Sequence, residues 1–517
     1  MTSLYSGQAI RAGLKDFVLA RLLSAVLSLG TNILLVRWMD EAGYAGYVTL
    51  TSLQLSSLLL FSFGIERVLA RFSGQALLAW PRAAFKLLVA GSLALRVVSL
   101  MLLGGAVHLI GEQLVSELKI ADWHEVEWAF WCYAITFGVY EALQACSQSL
   151  MQQKAIRDAL TFQWLARFVV IAACFLVTGE VSVERVLWTF GVTALLSSLH
   201  LLRAIYQQAA VTSPTAVAEA ADFRALVALG WHNHVEKLVS LPFSTQFVRL
   251  VSANALNLYA VALLGFYQTL VMTFHRHMPS ALAMGMLESA IAGRMLRPDG
   301  RAESAQVLST VFKVNLAYVL SLAAWLCVSG QAVLTLITGG KYAEQSAALV
   351  LLVLGLVPGG LWQLFIIYCN ATNEAGVLPK ATFVSLLLLL PVLASMYLFS
   401  DMGVWIVSGG LLLVGIGQCM VAHLMLAART GAPAIDFAGA AKFAVCVLVP
   451  SVLLRQIVPN SGLAYPLAMA LAGLLVTALL MLGLLRLGVL FSDRDIGVLD
   501  KLSPPGVRLL RKFHLIR

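Results

Sequence analysis

Long apolar runs follow one another from residue 14 nearly to the end of the chain, and short polar stretches separate them. A run of about 20 apolar residues is the length that crosses a bilayer as an α-helix. About fourteen such runs occur, which predicts an all-α integral membrane protein with about 14 transmembrane helices. The predicted spans are 14–38, 45–69, 83–109, 127–150, 158–178, 186–206, 229–252, 258–284, 308–329, 346–369, 381–399, 403–427, 437–458 and 465–488.

The segments between the spans are short, and none reaches the roughly 50 residues that an independent soluble domain needs. Any function is therefore expected within the membrane part. The polar, proline-containing segment VTSPTAVAEAADFR is typical of a linker between two halves. The predicted organisation is an N-terminal six-helix lobe (1–206), a cytoplasmic linker (207–228), a C-terminal six-helix lobe (229–428), two additional transmembrane helices (429–488) and a cytoplasmic basic amphipathic tail (489–517).

The composition supports the membrane assignment, and the distribution of Lys and Arg explains the positive net charge. Only 12% of the residues are charged, against about 25% in soluble proteins. The formal net charge of +9 would suit a nucleic-acid partner, but Lys and Arg concentrate on the side of the N-terminus, while acids collect on the other side. That asymmetry is the positive-inside pattern, so both termini are expected in the cytoplasm and no nucleic acid is expected as partner.

The seven cysteines stand singly in apolar runs, with no CxxC spacing, and are typical of small buried hydrophobic residues. Four of the nine histidines form i, i+2 pairs, His232 with His234 and His275 with His277, which point to different faces of a helix. No disulfide, metal site or cofactor is therefore expected.

Polar side chains repeat in the two halves. Arg21, Ser24 and Ser28 form one face of the first span, which Thr31 or Asn32 extends, and Lys237, Ser240 and Ser244 repeat the spacing in the seventh span. An Arg-x9-Tyr pair follows each stripe, at Arg37 and at Arg249. This order predicts a parallel repeat and places both stripes on a water-filled cavity. Arg249 joins the second stripe only if Pro242 breaks or swivels the helix.

A charge inside a span is a candidate for function, because insertion without a partner is costly. For Arg96, Arg167 and Arg276 an interhelical ion pair or snorkelling is an equal alternative, and for Arg37 and Arg249 it is the favoured one. Cations outnumber acids in the spans, which favours an anionic ligand such as a phosphate. The acids that partner the cations or bind a coupling ion are Glu66, Glu141 and Glu236.

A further polar stripe lies on the fourth span, at Glu141, Gln144, Gln148 and Gln152. It fits a coupling-ion site or a site for sugar hydroxyls, and it fits equally a solvated helix end near the cytoplasm.

Several stretches resemble the bacterial oligosaccharide and polysaccharide flippases, the Wzx-like branch of the multidrug/oligosaccharidyl-lipid/polysaccharide exporter superfamily. The opening KDFVLARLLSAVLSLGTNILLVRWMDEAGYAGYVTLTSL with FGIERVLAR is similar to the first two helices of that family. VLTLITGGKYAEQSAALVLLVLG, CNATNEAGVLPK and MGVWIVSGG are similar to its later turns and helix entries.

The resemblance implies two pseudo-symmetric six-helix lobes around a central cavity, faced by helices one, two, seven and eight, with two extra helices at the C-terminus. It also implies an inner-membrane transporter, not an enzyme, that flips a polyprenyl-diphosphate-linked oligosaccharide for surface polysaccharide assembly by alternating access. A polymerase and a chain-length regulator are expected partners, and H⁺ or Na⁺ is a candidate coupling ion. The expected substrate-binding residues are Arg21, Ser24, Ser28, Asn32, Arg67, Lys237, Ser240, Ser244, Gln246, Arg249 and Arg276.

Other functions fit parts of the pattern. A lipid II flippase and a drug/cation antiporter belong to the same superfamily, but an antiporter predicts acidic cavities and usually about twelve spans. A polysaccharide polymerase or ligase characteristically has a long external loop with Arg and His, whereas the external loops here are short and acidic. An assembly scaffold would leave the intramembrane charges without a ligand.

Overall fold

The computed structural model describes residues 7–120, 123–212, 223–281, 287, 291, 300–372, 374, 376–430, 435–457 and 465–502, and of residues 7–22, 110–112, 114, 430, 457, 493 and 501–502 it describes the backbone alone. Every regular element in these ranges is a helix. The helices are α1 (Gly7–Trp38), α2 (Glu41–Leu60), α3 (Ile65–Ala79), α4 (Arg82–Glu117), α5 (Trp123–Ser149), α6 (Gln153–Thr178), α7 (Val183–Val211), α8 (Phe223–Ser240), α9 (Thr245–Ala255), α10 (Leu258–Arg276), α11 (Gly300–Thr338), α12 (Ser346–Leu354), α13 (Leu356–Thr372), α14 (Val377–Leu398), α15 (Gly403–Thr430), α16 (Phe437–Ile457), α17 (Pro466–Arg486) and α18 (Asp493–Leu502).

Ten helical segments in the described ranges are long and apolar enough to cross a membrane, and the bent pair α2–α3 makes an eleventh span. The remaining predicted spans correspond to α1, whose described apolar part is Leu23–Trp38, to α5, and to the interrupted pair α8–α9. The prediction of an all-α multi-pass membrane protein is thus confirmed, and the helices account for about fourteen spans.

The chain packs as two compact units, Met1–Gly265 and Phe266–Arg517. The first unit includes α8 and α9, which contact α3 and α2 respectively. The lobe boundaries at residues 206 and 229 stay a prediction, as does the pseudo-symmetry of the lobes.

In the first unit α5 lies along α7, α1 lies along α6, and α3 packs between α4 and α5. The buried core beside α3 contains Leu69, Phe85 and Leu143. Leu87 and Val98 of α4 are exposed on the surface of the protein. In a membrane such apolar side chains contact lipid, so packing them inside the protein would bring no hydrophobic gain.

Two helices of the first unit are broken where the sequence predicted continuous spans. Between α2 and α3 the axis bends by 57°, and Gly64 adopts the left-handed conformation, with φ +66°. Between α8 and α9 the 3₁₀ turn Leu241–Phe243 contains Pro242, and Ser244 then caps α9 by accepting a hydrogen bond from the backbone N–H of Phe247 at 3.1 Å. A proline removes a helical donor and favours such a break.

The break between α2 and α3 packs directly against α8, the helix that ends at the second break. A β-carbon on Gly64 would lie 2.3 Å from the carbonyl oxygen of Gly230 in α8, and one on Gly230 would lie 2.9 Å from the carbonyl oxygen of Phe63. No side chain separates the two backbones at this point. Glycine is required at Gly64 both for its φ and for this close approach.

In the second unit α11 is the central helix, and α13, α16, α17 and α18 pack on it. Its core includes Phe312, Leu320, Phe365 and Phe443. The helix α18 follows the last span and lies against α11, so the predicted amphipathic tail includes a docked helix. The segment VRLLRKFHLIR lies outside the described residues.

Candidate functional site

A cavity of about 380 Å³ lies in the first unit, next to both helix breaks. The end of α2 and the start of α3 form one wall, the flanks of the Pro242 break form a second, and α5 forms the third. Irregular backbone at membrane depth is tolerated where it lines a cavity. The lining residues are Leu55, Leu58, Leu59, Glu66, Glu141, Gln144, Ala145, Gln148, Lys237 and Gln246.

Glu66 carries the central charge of this cavity. Its carboxylate forms an ion pair with Arg96 of α4 and a second one with Lys237 of α8, whose Nζ lies 2.9 Å from Oε2. The Lys237 side chain is 32% exposed, whereas that of Arg96 is fully buried. Lys237 is therefore the cation of the pair that an incoming ligand reaches.

Arg96 also binds the free carbonyl groups at the end of α2. Its Nη1 donates hydrogen bonds to the carbonyl oxygens of Leu58 at 3.1 Å and Phe61 at 3.0 Å. These carbonyls lie where α2 ends and where intrahelical donors run out. One buried guanidinium thus satisfies the helix end and holds Glu66 beside it.

Glu141 is the second carboxylate of the cavity. It makes no hydrogen bond or ion pair to any described residue, although the charges of Arg96 and Lys237 act on it. Gln144 and Gln148 follow it at i+3 and i+7 on the same wall. Gln152 does not join them, because its side-chain amide donates to the carbonyl oxygen of Ala204 at 3.0 Å.

The ionised groups balance. Glu66 with Arg96 and Lys237 sums to +1, and an ionised Glu141 brings the total to zero. The cavity does not show the excess of cations that the count over all spans suggested. Protonation of Glu141 alone would make it net positive.

Four predicted site residues meet at the cavity: Glu66, Glu141, Lys237 and Gln246. Two serines of the second stripe instead bond to the local backbone, since Ser240 donates to the carbonyl oxygen of Lys237 at 3.1 Å and Ser244 caps α9.

Other predicted residues lie elsewhere. Arg249 donates to the carbonyl oxygen of Gly265 at 3.1 Å. In α1, Ser28 is buried and the side chain of Asn32 donates to its carbonyl oxygen at 2.8 Å. Ser24 is half-buried, Arg67 and Glu236 are exposed, and Arg276 is exposed at the end of α10 in the second unit. The side chain of Arg21 lies outside the described residues.

Two buried arginines, Arg96 and Arg167, bind other parts of the protein, as the alternative of interhelical pairing predicts. Arg96 has the ion pair described above and was absent from the expected binding residues. Arg167 packs its guanidinium 4.1 Å from the ring centre of Phe190 and 4.9 Å from that of Trp164, and its Nε donates to Thr193 at 3.1 Å. Arg167 is thus held by aromatic faces and a hydroxyl.

Within the described part of the chain, no three His, Cys, Asp or Glu side chains come together as a metal site. The seven cysteines are free thiols, four of them buried.

No protein-family model and no curated protein sequence matches the chain. Solved structures do match. The lipid II flippase MurJ in an inward closed conformation aligns with a TM-score of 0.57 at 10% identity, over 89% of this chain and 97% of that one. A multidrug resistance MATE family transporter of the MOP superfamily aligns in its inward-facing form at 0.56 and 14% identity, over 80% and 98%, and in its outward-facing form at 0.54 and 13%, over 82% and 96%.

These similarities establish the fold. The chain has the fold of the lipid II flippase MurJ and of the MATE family transporter, which fits the superfamily expected from the sequence. The narrower placement among the Wzx-like polysaccharide flippases stays a prediction.

Proposed function

We propose that this protein is a transporter, and specifically a flippase that moves a polyprenyl-diphosphate-linked oligosaccharide across the bacterial inner membrane by alternating access. The observation that carries the proposal is the cavity beside two broken helices, in which an accessible lysine shares a carboxylate with a buried arginine. The similarity of the fold to that of a lipid II flippase also supports the proposal. No enzymatic step is part of the proposal.

In this proposal Lys237 binds the diphosphate. An ion pair in a low-dielectric site can exchange partners only if neither partner is left unpaired, because an isolated buried charge is strongly unfavourable. When Lys237 turns to the ligand, Glu66 keeps its pair with Arg96. The trio therefore allows an anion to bind and leave without an orphaned carboxylate.

Gln144, Gln148 and Gln246 supply donors and acceptors for sugar hydroxyls. The volume of about 380 Å³ is at the lower end of ligand pockets, which span about 300–1,000 Å³. It suits the diphosphate and the sugar next to it, with the isoprenoid chain in lipid. Further contacts from Arg21, Ser24, Ser28, Asn32, Arg67, Ser240, Ser244, Arg249 and Arg276 remain part of the proposal on sequence grounds.

Glu141 is the proposed coupling group. A proton on Glu141 changes the net charge of the four groups from zero to +1, which favours the anionic substrate. Release of the proton restores neutrality and weakens binding. Glu66, held by two cations, and the exposed Glu236 are weaker candidates for this role.

A second candidate function is a drug or cation antiporter of the same superfamily. Glu141 favours it, because a carboxylate with no hydrogen-bonding partner among the described residues is also what a cationic ligand needs. In that case Glu141→Gln would abolish binding of the organic cation, and Lys237→Ala would strengthen it.

The experiment that tests the proposal measures the leaflet distribution of the polyprenyl-linked oligosaccharide with a reagent confined to the periplasm. Cells without the protein should accumulate intermediate that the reagent does not reach, and Lys237→Ala should reproduce this defect. Lys154→Ala removes an exposed lysine of the same unit and serves as the matched control.

Three outcomes separate the candidates. Normal labelling in the Lys237→Ala strain at normal protein levels would remove the cavity from the proposal. Normal labelling in cells that lack the protein would exclude flipping altogether. Labelled single units that stay unpolymerised would indicate a polymerase or scaffold.

A further inference from the structure

A second cavity, of about 540 Å³, lies in the first unit between the first turns of α4 and the last turns of α7. Its walls differ from those of the charged cavity described above. Two cations and a phenol line it, together with two alanines, and no acidic residue of the described part of the chain does. The lining residues are Arg82, Lys86, Tyr206, Ala209 and Ala210.

The two cations are placed to share one anion. Arg82 donates from Nη2 to the carbonyl oxygens of Ala210 and Thr212, each at 3.3 Å, which holds its guanidinium over the end of α7. Lys86 follows one turn later on the same face of α4. Lys86 is exposed and makes no hydrogen bond or ion pair to a described residue. Both cations line the cavity, and each has N–H donors beyond those that the described hydrogen bonds use.

The position of the cavity indicates a membrane ligand. Arg82–Leu109 and Val183–Val211 are both long and apolar enough to span the bilayer, and the cavity lies where the first begins and the second ends. Both ends belong to the surface that the distribution of Lys and Arg predicts to be cytoplasmic.

Exposed apolar residues continue from the cavity. Leu87 of α4 is exposed beside Lys86, and Leu199 of α7 is exposed two turns from Tyr206 on the same helix face. A free anion needs no such surface, whereas the acyl chains of a lipid do.

We propose that this cavity binds the phosphate of an anionic membrane phospholipid, with Arg82 and Lys86 as its charge partners and Tyr206 as a hydroxyl donor. The acyl chains lie along the exposed apolar faces of α4 and α7. The site is independent of the flippase proposal, because it shares no residue with the charged cavity.

Native mass spectrometry of the full-length protein, released from vesicles of equal phosphatidylglycerol and phosphatidylcholine with identical chains, tests the proposal. The wild-type protein should retain phosphatidylglycerol preferentially. Each cation contributes about a fivefold preference at a membrane surface. Arg82→Ala/Lys86→Ala should therefore lower the preference by about 25-fold.

Lys380→Ala/Lys442→Ala removes two exposed cations of the second unit and is the matched control for charge. Lys86→Gln alone keeps the hydrogen bonds of Arg82 to α7, so it tests the site even if the double variant does not fold. Equal retention of the two lipids by the wild-type protein, or an unchanged preference in Lys86→Gln, would overturn the proposal.

Inorganic phosphate distinguishes the source of the anion. If the acyl chains contribute, millimolar phosphate should leave the bound phosphatidylglycerol in place. Complete displacement by phosphate would mean that the cavity is a site for free phosphate and not for a lipid.

Discussion

Two lysine–carboxylate pairs, one in each unit, have nearly the same length and opposite surroundings. Nζ of Lys237 lies 2.9 Å from Glu66, and Nζ of Lys313 lies 2.7 Å from Asp495. The side chains of the first pair are 32% and 21% exposed, and those of the second are 9% and 1% exposed. Distance alone therefore does not distinguish an exchangeable ion pair from a fixed one.

The difference lies in the donors around the carboxylate. Asp495 accepts hydrogen bonds from Gln306 at 3.1 Å, Thr310 at 2.9 Å and Lys313 at 2.7 Å, all on α11. It also accepts from the backbone N–H and the hydroxyl of Ser492, while its own N–H donates to that hydroxyl. This is a capping box that begins α18 and also fastens α18 to α11. Burial alone would raise the pKa of Asp495, but the bonds from Lys313, Ser492 and Thr310 hold the pKa below its ordinary value.

Glu66, by contrast, has two cations and an open side. We infer that a saturated carboxylate serves as a structural latch, and that an unsaturated one beside a cavity can release a partner. The predictions below test this difference.

The largest effect is expected for Asp495→Ala, which leaves the buried Lys313 with only a longer ion pair to Asp436, at 3.9 Å. Removing one member of a buried pair costs about 3–5 kcal/mol. Limited proteolysis between α17 and α18 and the thermal unfolding temperature should both report the loss. Asp500→Ala, on the same helix, is the control. Lys313→Met/Asp495→Leu should recover only the part of the loss that the poorly paired lysine causes, because the cap of α18 and the bonds from Gln306 and Thr310 are still missing. Full recovery in the double variant would contradict the latch.

Gly64→Ala is expected to destabilise the fold less than Asp495→Ala does. Gly179 provides the control, because its φ of +75° is also left-handed but nothing lies within 4 Å of an added β-carbon. Both substitutions carry the left-handed penalty of about 1–2 kcal/mol. Only Gly64→Ala also forces α3 away from Gly230, so it alone should abolish the leaflet transfer of the oligosaccharide. Equal behaviour of the two variants would mean that the contact between the breaks does not position Glu66.

Lys237→Ala should change stability by less than about 1 kcal/mol, as for other partly exposed ion pairs. Glu66 keeps Arg96, so no buried charge is left alone. Thermal unfolding of Lys237→Ala and Lys313→Ala under the same conditions gives the comparison directly. A loss as large as that of Lys313→Ala would show that the two pairs are alike after all.

The packing of α18 on α11 is expected to stay unchanged when the pH falls from 7 to 5. Because the folded pKa of Asp495 is depressed, its stabilisation is complete above the unfolded pKa of about 3.9 and is lost only as the pH falls below it. Hydrogen exchange of the α18 amides should stay slow down to about pH 4. Release of α18 near pH 6 would mean that another group controls it.

Hydropathy was sufficient to predict the helices, because a span must satisfy its own backbone hydrogen bonds and reveals itself by its length. Both breaks fall inside predicted spans, 229–252 and 45–69. Pro242 entered the prediction only as a condition for Arg249 to join the second stripe, and Gly64 in the segment SFG was the available indication of the other break.

The partners of the charges were harder to predict. Arg96 and Glu66 lie thirty positions apart, and only the packing of α4 on α3 brings them together. The docking of α18 on α11 was not predicted either. The informative pattern was Ser492-x-x-Asp495, which is the spacing of a capping box.

The backbone contact between Gly64 and Gly230 restricts how related sequences can diverge. Charges around the cavity can be exchanged as substrates change, but any side chain at position 64 would meet a peptide group of α8. Relatives that keep this break should therefore keep glycine at position 64 even where the counterparts of Lys237 and Glu66 differ. A glycine paired across 166 positions, and not the charges, would then be the marker by which distant homologues are aligned.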